Sequence, residues 1–194
     1  MGNSFWEGAE EVPTPEKTSL GAIVAAGREA LEMGGPQGLT MQSVATRVGV
    51  RAPSLYKHVR DRAALLAAVA DDALDELVAR LEATDGSLEE GIREYRRFAQ
   101  GHPEAFRLTQ SGVASQEALA RAVAPILRAS GELVGERDQL EAARLVTAWA
   151  VGFIGMELGG AFRLGGDVDR SFEYGLAAIR SALAAGGPGD GLSG

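Results

Sequence analysis

The sequence predicts an all-α fold, and three observations carry that prediction. Apolar residues recur at helical spacing almost everywhere between residues 16 and 185, and no segment alternates apolar and polar side chains with a period of two. Breaks containing Gly or Pro divide this stretch into about nine helical pieces. At 194 residues with 45% hydrophobic side chains, the chain is long enough and apolar enough to bury a core.

The elements can be justified in order. Residues 1–15 are rich in Gly, Glu and Pro with no apolar period, so a disordered arm is expected there. Leu20, Ile23, Val24, Gly27 and Leu31 form the inward face of a first helix, which MGGPQG stops. Thr40 has the chemistry of an N-cap for a second helix, whose inward face is Val44, Ala45 and Val48 and whose end is Gly49. A third helix over roughly 52–58 carries Pro53 in its first turn, where a missing N–H costs nothing. A long fourth helix follows, with Leu65, Leu66, Val69, Ala73, Leu77 and Leu81 as its stripe and TDGS as its end. Further helices are predicted at about 87–100, 103–111, 115–130, 137–164 and 168–184, and the last nine residues, GGPGDGLSG, read as a flexible tail. The expected division is an arm at 1–15, an N-terminal helical unit at 16–62, a larger C-terminal unit at 63–185 and a tail at 186–194.

Composition narrows the function. Without cysteine there is no disulfide, no thiolate chemistry and no cysteine metal site. No apolar run approaches the ~18 residues of a membrane span, and the acidic, proline-containing N-terminus is unlike a signal peptide, so a cytoplasmic protein with no membrane partner is expected. The net charge of −8 argues against nucleic acid until its distribution is read. Residues 67–194 hold twenty acids and twelve bases, whereas residues 1–66 hold seven of each. Within 40–62, Arg47, Arg51, Lys57, Arg60 and Arg62 face a single acid, Asp61. One short segment of an acidic chain is basic.

That segment has the size of a helix-turn-helix. Gly49 supplies the tight turn, while Val44, Ala45, Val50 and Leu55 hold the two helices together, Ala45 being small enough for a close crossing. The second of these helices would enter a major groove about 12 Å wide with its first residues toward base edges. Small Ala52, Pro53 and Ser54 let the backbone approach, Lys57 reaches a base or a phosphate, and Arg60 and Arg62 flank the phosphate backbone. On charge alone, a solvated basic surface is the competing reading.

Residues 38–66, GLTMQSVATRVGVRAPSLYKHVRDRAALL, resemble the signature of the tetracycline-repressor (TetR/AcrR) family of transcriptional regulators. Its Gly-Leu-Thr, Val-Ala, Gly-Val and Leu-Tyr-x-His stand in register, followed by a basic residue and a Leu-Leu start to the long helix. The resemblance implies that Thr40 caps the second helix and holds a phosphate, and that Gln42 contacts a base or phosphate. It further implies that Ala52, Pro53, Ser54 and Lys57 face bases, while Tyr56, His58 and Arg62 bind phosphates. Arg51 departs from the small or acidic residue usual before the recognition helix, and the arm is acidic. The family also implies a homodimeric repressor on an inverted-repeat DNA operator, released by a small molecule, with no cofactor.

In the C-terminal unit, Ala148, Gly152, Gly155 and Gly159 line up at i, i+4, i+7 and i+11. Each Gly in a helix costs about 1 kcal/mol relative to Ala, so the stripe calls for close approach of another backbone. Phe172, Leu176, Ile179 and Leu183 on the last helix form a companion face. Two such helices from each subunit would make the four-helix dimer interface the family implies; the same stripe also suits an intrachain contact. Trp149 and Gly152 match a Trp-x-x-Gly pattern of one C-terminal subgroup, with Val151 where His is common. Tyr95, Phe98, His102, Phe106, Leu108, Trp149, Phe153 and Met156 are the candidate lining of a pocket for a hydrophobic or amphipathic ligand, although core packing or, for His102, a loop or cap is the rival reading for each. Glu157, among apolar neighbours, either anchors a polar ligand atom or pairs with an Arg.

The alternative is an all-α small-molecule-binding protein or enzyme that does not use the helix-turn-helix for DNA. Only two histidines exist, His58 and His102, in different units, with no HExxH, no phosphate loop and no paired ExxH. Adjacent acids such as Asp71 and Asp72 point about 100° apart on a helix and do not converge on a metal. Neither catalysis nor a metal is expected.

Overall fold

The computed structural model describes residues 18–186, and the expected N-terminal arm and nearly all of the tail lie outside them. Among the described residues there are nine helices and no strand. They are α1 (Leu20–Gly38), α2 (Met41–Val48), α3 (Ala52–Leu55), α4 (Arg62–Glu82), α5 (Leu88–Gly101), α6 (Pro103–Thr109), α7 (Gln116–Val134), α8 (Gln139–Leu158) and α9 (Val168–Ala184). The all-α expectation is met, and no helix is long and apolar enough to cross a membrane.

Local chemistry sets most boundaries. Ser19, Thr40, Asp61, Ser87, Ser115 and Asp167 each accept from a backbone N–H in the first turn of the helix that follows. At α2 the cap is reciprocal: Ser43 N–H donates to Thr40 Oγ1 and Thr40 N–H to Ser43 Oγ, both at 3.0 Å. α1 is broken at Gly34 and Gly35, within the predicted stop, and Pro36 lies in the short helical continuation beyond.

Two helices differ from expectation. The third is shorter than 52–58, because His58 N–H bonds Leu55 O three residues back at 2.9 Å and the chain closes in a tighter turn. The eighth ends at Leu158, not near 164. Gly160 takes φ +64°, and Ala161 N–H reaches Met156 O at 2.9 Å while Gly160 N–H reaches Glu157 O, which satisfies the last carbonyls and turns the chain away. Gly159 is therefore the cap of α8 and no part of its interior.

One apolar cluster runs from Ile23, Val44 and Leu55 through Leu65 and Val69 to Phe98, Val146 and Phe172. The α1–α4 crossing is close: a Cβ on Gly27 would lie 2.7 Å from Val69 Cγ2. Charge reinforces it, since Arg28 pairs with Asp72 at 3.2 Å and Glu76 at 2.7 Å on α4. Arg80 then joins Glu76 to Glu94 on α5. Burial alone would raise the Glu76 carboxyl, but the Arg28 hydrogen bond and charge, with His102 and Arg80, hold it below its ordinary 4.5.

The α8–α9 contact is made by aromatic rings. Trp149 stacks on Phe172 at 5.3 Å, Phe153 meets Phe172 edge-on at 5.3 Å, and Phe162 adds a fourth ring at 4.9 Å from Phe153. Close backbone approach occurs at Gly175, where a Cβ would lie 2.5 Å from the Trp149 ring. Gly152 and Gly155, by contrast, have nothing within 4 Å of a notional Cβ and are exposed. Phe172, Leu176 and Leu183 are buried inside the subunit and Ile179 packs against the same core. That face of α9 packs against the subunit's own core.

Gly27→Ala and Gly175→Ala should each destabilise the fold by about 1–3 kcal/mol through overpacking within the subunit, read as a lowered urea midpoint; an unchanged midpoint in either would mean that its crossing is not tight. Glu76 and Glu94 are both depressed in the folded chain, so the unfolded state binds more protons below pH 4.5. Their contribution is complete well above that pH and is lost as pH falls through the folded values. Glu76 is a third exposed, which limits its share to about 1 kcal/mol or less, and Glu76→Gln should flatten the acid limb of a plot of urea midpoint against pH.

Candidate nucleic-acid interface and ligand cavity

α2 and α3 form a compact helix-turn-helix. Val44, Ala45 and Leu55 are fully buried between them, with Val59 almost so, and Gly49 makes the turn at φ +73° with Val50 N–H on Ala45 O. Burying Leu55 and Val59 turns the residues between them outward. Pro53, Tyr56 and Lys57 are exposed, while Ala52, Ser54 and His58 are half-buried on the same short element. Thr40 and Gln42 lie exposed at the start of α2.

The basic residues here are unlike those elsewhere. Arg51 and Lys57 make no ion pair among the described residues, and Arg47 bonds only Ser43 O and the Met33 sulfur. On the helices after α3, Arg80, Arg93, Arg96, Arg97, Arg121 and Arg180 are each matched to a carboxylate. The positive field of the reading unit is thus uncompensated, and that of the C-terminal helices is largely cancelled. Arg60 pairs with its neighbour Asp61, whose carboxyl is held low by the Ala64 N–H and by Arg60.

Arg62 is placed differently from the phosphate contact expected. Its Nε donates to Leu39 O at 2.8 Å and its Nη2 to Pro36 O, so the side chain ties the α1–α2 corner to the start of α4. Nothing in the sequence signalled this, because the two acceptors are backbone carbonyls 23 and 26 residues away.

A cavity of about 460 Å³ lies within the C-terminal helices. α4 contributes Leu74, Leu77 and Leu81 to its wall, and α5 contributes Ile92 and Tyr95. Thr109 and Gln110 stand at the end of α6, Leu119, Val123 and Ile126 on α7, and Leu140, Ala143, Arg144, Thr147 and Val151 on one face of α8. Gln110 Nε2 donates to the Tyr95 hydroxyl at 3.0 Å, and burial pushes that phenol's ionisation above its usual range.

Of the eight residues predicted to line a pocket, Tyr95 is there and the others are elsewhere. Phe98, Phe106 and Leu108 are core, Phe106 standing 5.7 Å behind the Tyr95 ring. Trp149 and Phe153 belong to the α8–α9 aromatic cluster, and Met156 is half exposed on the outer side of α8. His102 caps the α5–α6 junction, its Nε2 3.3 Å from Glu76 Oε1. Glu157 pairs with Arg96 through two hydrogen bonds of 2.8 and 2.6 Å, and Arg96 also reaches Asp169 and lies over the Phe172 ring. Ala148, predicted for an interface, lines the cavity as well as lying exposed. The aliphatic and threonine lining escaped the sequence reading because it has the same composition as any helical core.

The cavity is mechanically close to the reading unit. Glu32 on α1 accepts from the first free N–H groups of α6, Glu104 at 3.2 Å and Ala105 at 2.9 Å. The other end of α6 is the cavity wall at Thr109 and Gln110.

The family model described as "Bacterial regulatory proteins, tetR family" matches residues 23–69, and the one described as "Tetracyclin repressor-like, C-terminal domain" matches residues 88–179. The tetracycline repressor protein class G of Vibrio anguillarum is 36% identical over 91 residues, which is 47% of this chain and 40% of that protein, so the match spans under half of that relative's length. A protein of unknown function from Rhodococcus sp. RHA1 has a similar structure, with a TM-score of 0.75 and 27% identity over 90% of this chain and 100% of the other. A TetR variant from Acinetobacter baumannii AYE, solved in complex with minocycline, has a TM-score of 0.68 and 23% identity over 87% of this chain and 97% of the other, a likeness of fold.

Proposed function

The chain belongs to the tetracycline-repressor (TetR) family of transcriptional regulators, and on that premise we propose that it is a one-component repressor that works in the cytoplasm as a homodimer. The observation that carries the DNA-binding part is the exposed, unpaired positive charge of Arg51 and Lys57 on either side of the small residues Ala52, Pro53 and Ser54. Ala52, Pro53, Ser54 and Lys57 face the bases of a major groove. Thr40, Tyr56 and His58 hold phosphates beside it, with Gln42 contacting a base or a phosphate at the start of α2. Arg62 fixes the angle at which the unit leaves α4, and Arg51 adds to the field that attracts the duplex.

The dimer reading rests on the outer stripe of α8. Leu145, Gly152 and Met156 are exposed there with Ala148 and Gly155, and Tyr174 stands exposed on the outer face of α9. The glycines admit a second backbone closely, and Leu145 and Met156 supply apolar area for a second copy to cover. Two subunits then present their α3 helices to grooves one helical turn apart.

The cavity takes the effector. A molecule seated there presses on α4 and on the end of α6, and both elements abut α1. It releases DNA only to the extent that it prefers the arrangement with the wrong spacing between recognition helices.

Selection of bound duplexes from a random pool tests this reading: an inverted repeat is expected, and failure to enrich any sequence would sink it. On the selected duplex, Tyr56→Ala should weaken binding to matched and mismatched sites alike while leaving the salt slope nearly unchanged, because a neutral hydroxyl on a phosphate releases no counterion. Lys57→Ala should lose about 1–3 kcal/mol of discrimination at one position. Gly152→Arg should give monomers in sedimentation velocity; an unchanged dimer would place the subunit contact elsewhere.

A further inference from the structure

We propose that the cavity selects an apolar carboxylate, with its hydrocarbon body among the leucines of α4 and α7 and its carboxylate on Arg144. This rests on the reading of the cavity as the effector site and adds the chemistry of the occupant.

Arg144 is the only charged residue in the wall, and no acid accompanies it. It is exposed and forms no hydrogen bond or ion pair among the described residues, in a set of helices where most arginines are matched to carboxylates. An arginine in that position fits a planar anion through two parallel N–H donors, and a single guanidinium balances a single negative charge. The remaining polar groups are few. The Tyr95 oxygen accepts from Gln110, which leaves the phenol proton to donate, so a carbonyl or hydroxyl on the body would find one partner there.

The rest of the wall dictates an apolar and extended body. Leu74, Leu77, Ile92 and Ile126 present hydrocarbon only. The α8 part of the wall runs from Leu140 to Val151, about 16 Å at ~1.5 Å per residue, which leaves room for a hydrocarbon body along that helix. A cationic ligand would meet no counter-charge in this wall, and an uncharged one would leave Arg144 without use.

Calorimetric titration of the full chain, without DNA, tests this with decanoate and 2-naphthoate, each beside its alcohol and its amine. Both carboxylates are expected to bind about tenfold or more tightly than their partners. Arg144→Gln should remove that preference while leaving alcohol binding unchanged, and Arg144→Lys should retain only part of it, since an ammonium supplies the charge without the two parallel donors. Circular dichroism confirms that the variants are folded. Alcohols or amines binding as tightly as the acids, unchanged carboxylate binding by Arg144→Gln, or no carboxylate binding at all would overturn the proposal. Operator release is measured separately. Selective carboxylate binding that leaves the operator complex intact supports this assignment and counts against the effector reading; release by the alcohol alone does the reverse.

Discussion

Where α1 crosses α4, a single hydrogen occupies the space of a side chain: Gly27 faces Val69 so closely that a Cβ would stand 2.7 Å from its methyl. That crossing sets the position of everything on either side of it. α1 carries the three-helix reading unit through the corner held by Arg62, and α4 places its cavity leucines, Leu74 to Leu81, about 18 to 28 Å along its axis from that corner. With Leu65 and Val69 fully buried, the helix is fixed in rotation as well as distance. The Arg28 pairs with Asp72 and Glu76 add register along the axis, which a purely apolar contact does not specify.

Two mechanical connections therefore run between cavity and reading unit. One is α4 itself, and the other is α6, whose amino end sits on the Glu32 carboxylate while its far end supplies Thr109 and Gln110. Close-packed helices rearrange in discrete steps and do not deform continuously, so the proposed effector response would travel along these two connections. Distribution of charge divides the labour in the same way. Carboxylates neutralise most arginines of the C-terminal helices, and Arg144 shares with Arg163, Arg170 and, in the reading unit, Arg47, Arg51 and Lys57 the lack of a carboxylate partner among the described residues, Arg144 alone of them lying in the cavity wall.

The glycines illustrate how one residue type signals two different things. Gly175 is required by the Trp149 ring within the subunit, whereas Gly152 and Gly155 touch nothing in it. From sequence, the i, i+4, i+7 spacing of the α8 stripe was legible, but the Gly175 contact was not, since its partner lies on another helix. The apolar face of α9 was legible as a face, and the structure shows which rings of its own subunit it meets. Phe172 and Leu176 are buried against α8 rings and the Arg96 guanidinium, and amphipathic spacing alone cannot say which neighbour lies opposite.

By itself the sequence determined what depends on neighbours within about four positions: the cap at Thr40, the breaks around Gly35 and at Gly49, and the helical class. It also determined the basic segment at 47–62 and the signature that goes with it. Tertiary structure alone decided that Arg62 faces carbonyls, that Glu157 answers Arg96, and that aliphatic residues rather than Phe98, Trp149 or Phe153 wall the cavity. The physical reason is range. Capping and periodicity are encoded by hydrogen bonds and side-chain directions along one helix. Cavities and ion pairs form where helices distant in sequence meet, and apolar side chains that fill a core are chemically the same as those that line an opening in it.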